Sequence, residues 1–487
     1  MEIADRLGRD MSGRGLHKVR IELLADALKG VPEDGVKARL LSDIAQSQEM
    51  DGQLDGALIS LKGALDIVRK IGNKASEGVI LNSIGHIHDV YGDYTMALDH
   101  LQKSLEIRHE LNDRAGEGDA LNSISQIYRA RGDYATALDN LQKSLEITQE
   151  IGNREGESAT LNNIGGIFYA KGDYVTSLNY FQKSLKIQRV ICDQEGEGTT
   201  LSNISLIYND RGDYVTALDY LHKSLEIRRK IGDMRGEGTT LNNMATIAYA
   251  RGNYVKALNY FQKSLEIIRD IGDRAGEGAT LNNISQIFDA RGDYKTALDY
   301  LQKSLEIRQE IGDRKGEGIT LNNISQIYNT RGDYAMALDY LQKSIEITRK
   351  IGDRKSEGTT LNNISQIYDA RGDYKTALDY LQKSIEIMRE IGDRTGMIST
   401  LHNMAIIHLH NKEVKEAIEK FIKALQLSRK SGNAKGIFNV SRHLGRLLCR
   451  LGQKETGIPL LRQAIDIGKT MEHPDVAEIE TLLKEYA

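Results

Sequence analysis

Proline is nearly absent from this chain of 487 residues; the three present stand at positions 32, 459 and 474. Residues 33–458 contain none, which excludes proline-marked linkers between domains and permits a long series of helices. Tryptophan is missing altogether. Two cysteines, Cys192 and Cys449, lie too far apart for a metal knuckle or a disulfide framework. No run of 18 apolar residues occurs, so no transmembrane helix is expected. The N-terminal segment has no apolar core of the kind that marks a secretory signal. An excess of basic residues is also lacking: 65 Lys and Arg face 69 Asp and Glu, for a net charge of −4. A surface that binds nucleic-acid phosphates normally shows such an excess, so nucleic acid is disfavoured as a partner. The simplest location is the cytoplasm, with no membrane partner.

What is present is a repeat. Residues 281–310 and 361–390 agree at 26 of 30 positions. Related units start at 41, 81, 121, 161, 201, 241, 281, 321, 361, 401 and 441, and a fixed period of 40 means a solenoid. Within the unit at 281, Leu281, Ile284, Ser285 and Phe288 recur at helical spacing, as do Tyr294, Ala297, Leu301 and Ile307. Gly292 suits the left-handed position that ends a first helix (A), and Asp293 suits the cap of a second (B). Gly312 and Asp313 repeat the device. Each unit is therefore two helices of roughly 16–18 residues joined by tight turns, and one pair buries its apolar face only against its neighbour.

These residues resemble the tetratricopeptide repeat (TPR). In the unit at 121 the pattern is carried by Leu121, Ile124, Ser125, Tyr128, Gly132, Tyr134, Ala137 and Leu141. Leucine stands where the family usually has tryptophan, the terminal proline is missing, and the unit has 40 residues rather than 34. The long unit is similar to those of kinesin light chains, Pins-like adaptors and many bacterial TPR proteins. The resemblance implies an all-α fold: a right-handed α-solenoid superhelix of about eleven helix pairs. Residues 1–40 then form an N-terminal capping helix (14–29) and the lead into the first repeat. Residues 41–480 form one continuous solenoid, and 473–487 a C-terminal capping helix with Glu478, Glu480 and Lys484 outward. Two capped ends suggest a complete protein.

The candidate site follows from the same placement. TPR helices A line the concave face, and in LNNIS the leucine and isoleucine pack inward, so the asparagines between them face the groove. The second asparagine recurs at Asn163, Asn203, Asn243, Asn283, Asn323, Asn363 and Asn403. A carboxamide both donates and accepts, as a peptide backbone requires. The resemblance adds that kinesin light chains and O-GlcNAc transferase carry such asparagine ladders. Asp43, Ser83 and Ser123 break the row at its start. The other reading of the row is structural: the asparagines bond to one another and hold the curvature. The first asparagine (Asn82, Asn122, Asn162, Asn242, Asn282, Asn322, Asn362) is a weaker candidate. Positions that vary between near-identical units would set specificity: Gln126, Gly166, Leu206, Thr246, Gln286, Gln326 and Gln366, then Arg129, Tyr169, Asn209, Tyr249, Asp289, Asn329 and Asp369. Tyr169 and Tyr249 could pack on ligand side chains.

Other motifs carry less. The GEG at Gly276–Gly278 lacks the strand, spacing and lysine of a phosphate loop and suits close helix packing. His402, His408 and His410 lack the spacing of a metal pair, so no metal or cofactor is expected. No nucleophile–base pair or carboxylate dyad stands apart from the repeat, so no enzyme is expected. The leading reading is a non-enzymatic adaptor that binds an extended segment of a protein or peptide partner in its concave groove. The alternatives are a regulatory sensor that acts by changing superhelical pitch, as peptide receptor or partner of a separate effector, and a self-assembling homo-oligomer.

Overall fold

The computed structural model describes residues 17–486. Among the described residues there are 24 helices and no strand. An N-terminal helix, His17–Lys29, precedes eleven consecutive helix pairs, which run from Asp34–Met50 with Leu54–Lys70 to Ala434–Arg450 with Lys454–Thr470. Val476–Tyr486 ends the series. The expected start of the first helix, 14–16, and the last residue, 487, lie outside the described residues. Position 281, where a unit begins in the sequence comparison, falls in the middle of a helix A, Arg274–Ala290. The LNN motif is thus a mid-helix feature.

The turns explain the helix lengths. Arg274–Ala290 is followed by Gly292 at φ +77°, a conformation that costs glycine little. Asp293 then accepts a hydrogen bond from the Thr296 backbone N–H and starts Tyr294–Glu310. At 312 and 313 the device recurs, with Asp313 accepting from Gly316 N–H. Asn112, Cys192, Lys412 and Glu472 take the same left-handed conformation without being glycine.

The core is continuous within repeats and between them. Phe261 and Leu265 of one helix B pack with Leu281, Ile284 and Ile287 of the next helix A. Leu301 and Leu305 do the same with Leu321, Ile324 and Ile327. Aromatic rings also stack between helix A and its own helix B, as Tyr328 does on Tyr340 at 5.5 Å. Buried hydroxyls fix the spacing inside the pair: Ser144 Oγ donates to Gly118 O at 2.9 Å, and Ser304 and Ser344 bond to Gly278 and Gly318 in the same way. On the outer face the central glutamate of GEG is clamped; Glu277 accepts from Arg269 at 2.8 Å and from Arg274 at 2.7 Å. GEG is therefore a packing and ion-pair motif.

The coil closes on itself. Arg251 makes a two-pronged ion pair with Glu472, 221 residues away, at 3.0 and 2.6 Å. Arg394 N–H donates to Lys171 O at 3.2 Å, and its guanidinium lies 3.2 Å from Asp173. Between five and six repeats thus separate contacting points, and the eleven pairs make nearly two turns with a continuous seam. The seam is visible in residues of one type. Tyr94, Tyr134, Tyr174 and Tyr214, in the first turn, are 2–6% exposed. Tyr254, Tyr294, Tyr334 and Tyr374 fill the same slot in the second turn and are half-buried.

Cys192 lies on an exposed turn away from the seam. Cys192→Gly is expected to raise stability by about 1 kcal/mol, the usual cost of a left-handed non-glycine residue. The urea-unfolding midpoint, compared with wild type, checks this.

Candidate functional site: the lumen

The inner wall of the coil is built from one face of each helix A. Leu281 and Ile284 turn away into the core, 2% and 1% exposed, and leave Asn282 and Asn283 toward the lumen side. The two asparagines differ in role. The second donates to the first asparagine of the preceding repeat: Asn163 to Asn122 at 3.1 Å, Asn203 to Asn162 at 3.2 Å, Asn283 to Asn242 at 3.0 Å. Asn323 to Asn282, Asn363 to Asn322 and Asn403 to Asn362 follow at 2.9–3.1 Å. The first asparagine is the deeper one. Asn322 donates to Ser344 Oγ at 2.7 Å and Thr360 Oγ1 at 2.8 Å, so it joins helix A, helix B and the next helix A. The mutual bonding of the structural reading is therefore present. The second asparagines are half-buried along the row.

Where the sequence departs, the row breaks. Ser123 replaces the donor opposite Asn82; its hydroxyl bonds to Asp119 O instead, and the Asn82 side-chain oxygen is left buried without a partner. Ser202 replaces the acceptor opposite Asn243; it pairs with Ser224 at 2.9 Å, and Asn243 makes no side-chain hydrogen bond among the described residues. At the C-terminal end both slots are histidine, and His402 Nε2 lies 3.1 Å from His443 Nδ1.

Five of the variable positions, Arg129, Asn209, Thr246, Tyr249 and Gln286, line two cavities, each walled by both turns. One, of about 520 Å³, brings Asn322, Asn323 and Asn363 together with Arg129, Lys315 and Lys355. Lys315 and Lys355 reach buried carboxylates of the following repeat, Asp353 at 3.4 Å and Asp393 at 3.2 Å. The Arg129 guanidinium forms no hydrogen bond or ion pair among the described residues. The other, of about 550 Å³, brings Thr246, Tyr249 and Gln286 together with Asn209, Asp210 and Lys435. Tyr169 is instead held in the wall against Tyr174, with rings 5.8 Å apart, and bonds to Asp210. Burial raises the Asp210 carboxyl, against the pull of the Tyr169 and Tyr174 hydroxyls. The Asp289 carboxyl has no partner among the described residues, and burial raises it too. Asp369 pairs with His410 at 2.8 Å. The Asn209 and Asn329 side-chain oxygens are buried without partners. Gln126, Gly166, Leu206, Gln326 and Gln366 are half-buried along the wall and belong to neither cavity. Sequence reasoning missed Lys315, Lys355 and Lys435, which share the second position of helix A. That position varies between otherwise matching units, and this was the available signal.

The tetratricopeptide repeat profile matches residues 79–150, 116–190, 156–230, 236–310, 317–390 and 396–470, well over half of the chain. The chain belongs to the tetratricopeptide repeat family. Members of this TPR family are typically non-enzymatic scaffolds for protein–protein interaction. Among solved structures, yeast Tom70 is similar in fold, with a TM-score of 0.48 and 15% identity over 93% of this chain and 96% of its own. A Rap protein complexed with Competence and Sporulation Factor gives 0.49 and 16%, over 73% and 99%. BtubC from P. vanneervenii gives 0.37 and 14%, over 44% and 89%. No curated protein matches the sequence. No helix among the described residues is long and apolar enough to cross a membrane.

The ladder can be repaired or cut. Ser123→Asn and Ser202→Asn should each complete a broken pair and raise stability by about 0.5–1.5 kcal/mol, and Asn363→Ala should lower it by a similar amount; urea titrations measure all three. The histidine pair should make the C-terminal repeats sensitive to acid. Burial drives His402 down to about 4, aided by His443 and Arg442, and burial also lowers His443, aided by Arg442 and Arg446. A histidine with a depressed folded pKa contributes stability above its ordinary value of 6.5 and loses it as pH falls toward the folded value. Hydrogen-exchange protection in Arg394–Arg450, taken relative to the intrinsic rate at each pH, should therefore fall between pH 6.5 and about 4, and H402N/H443N should flatten that response.

Proposed function

We propose that this TPR protein is a non-enzymatic adaptor whose lumen holds an extended segment of a protein partner. One observation carries the reading. The inner wall offers a regular row of half-buried carboxamides, and unpaired groups of differing chemistry stand beside it. A peptide backbone supplies the matching donor and acceptor at each step. The side chains of Arg129, Asn243 and Asp289 have no partner among the described residues, and an unpaired polar group in a partly desolvated wall gains most from a ligand. Ordering of a disordered segment costs free energy, so a contact that runs over several repeats is needed for useful affinity. Nucleic acid and membrane have no part in this proposal, and the protein is placed in the cytoplasm.

A second reading draws on the seam. A coil held shut by Arg251–Glu472 and Arg394–Asp173 has a closed state and an opened one, and a ligand that prefers one of them would act as a signal. This is the regulatory-sensor alternative.

Unstructured peptides selected from a displayed library on the full chain provide the test. Selected peptides are expected to bind R129A/N243A/D289A at least about tenfold more weakly than wild type, a loss of about 1.4 kcal/mol. Far-UV circular dichroism should stay unchanged, because none of the three side chains supports the fold. Undiminished affinity would overturn the lumen as the site. A change in radius of gyration on peptide binding, read by small-angle scattering, would favour the sensor over the adaptor.

A further inference from the structure

Every repeat has two loop edges, one formed by A–B turns and one by B–A turns. The seam joins the A–B edge of the first turn to the B–A edge of the second. Gly132 packs beneath Ile391 so closely that a Cβ there would lie 3.2 Å from the isoleucine. Gly92 lies under Ile351 in the same way. Ile351 and Ile391 are each 7% exposed as a result.

The two complementary edges recur uncovered at the ends of the coil. On the A–B side of the second turn, a Cβ at Gly292, Gly332 or Gly372 would meet no atom within 4 Å. On the B–A side of the first turn, Ile71, Leu111, Ile151 and Ile231 are 38–44% exposed. Their sequences are those of the joined edges. Ala-Arg-Gly-Asp-Tyr at 370–374 repeats 130–134, and Ile-Gly-Asn-Arg at 151–154 differs from 391–394 at one position. Arg291, Arg331 and Arg371 line the free A–B edge. Within the seam the arginine of the same slot, Arg251, pairs with Glu472.

We propose that a second copy of this chain docks on these edges, its first-turn B–A edge on the second-turn A–B edge of its neighbour. The contact repeats between chains the interface already made within the chain. It is heterologous, so each bound copy leaves one free edge of each kind and assembly continues head to tail. The C-terminal helix presents Glu478 and Lys484 on its outer side. It therefore covers the last repeat, and the contact is edge to edge rather than an extension of the helix stack.

Light scattering after size exclusion, from low micromolar to near millimolar protein, tests this. Wild type should grow in steps of one chain mass. L111R/I151R disables one edge and R331E/R371E the other. All four side chains are solvent-facing, so circular dichroism should match wild type. Each variant alone should stay a monomer, and their equimolar mixture should form a two-chain species and nothing larger, because one intact edge of each kind remains. Wild type that stays monomeric throughout would overturn the proposal. So would a variant that assembles like wild type, or a mixture that does not pair.

Discussion

A buried serine hydroxyl sets the geometry of this coil. In successive repeats the helix B serine is fully buried and donates to a helix A carbonyl, as Ser144 does to Gly118 and Ser344 to Gly318. That bond requires the two backbones to approach closely, and the small residues of helix A allow it. The same hydroxyls meet Thr160 and Thr360 of the following helix A, at 3.2 and 3.4 Å. One node therefore fixes the spacing within a pair and the step to the next pair. A solenoid has contacts mainly between neighbours, so any rotation fixed at one step accumulates along the chain. Nearly identical steps give a uniform coil, and the second turn arrives on the first in register.

The asparagine row is the inner border of this node. Asn122 and Asn322 bond to the serine and threonine on one side and accept from Asn163 and Asn363 on the other. Packing and recognition are therefore carried by the same residues. A substitution of the whole row would weaken the helix stack as well as any ligand contact. Residues such as Arg129 and Asp289, whose charged groups have no partner among the described residues, separate the two effects.

Much of the architecture was legible in sequence because it is local. Gly292 and Asp293 declare a helix end and a helix start whatever surrounds them, and Leu281 with Ile284 declares a buried face. The asparagine row was legible as a row, but its bonding was not. Each bond joins residues 41 positions apart, one more than the period, and that offset depends on how adjacent helices slide past each other. The seam was not legible at all. Tyr134 and Tyr334 occupy nearly identical local sequences, yet one is buried under Ile391 and its neighbours and the other is not. Their difference comes from the summed rotation of several repeats, which no single unit encodes. The lumen lysines were overlooked for a related reason: Lys315 and Lys355 look like ordinary charges of a first helical turn until the next repeat places Asp353 and Asp393 beside them.

The seam gives the molecule a mechanical character. An open coil lengthens in proportion to any pull along its axis. A coil whose turns already touch behaves like a close-wound spring, which stays rigid until the load exceeds the force that holds the turns together. Here that force is supplied by a row of isoleucine-on-glycine contacts and by the ion pairs Arg394–Asp173 and Arg251–Glu472. Below the threshold the protein is a stiff tube. Above it the turns part while every helix stays folded, and the tube becomes a long, compliant ribbon.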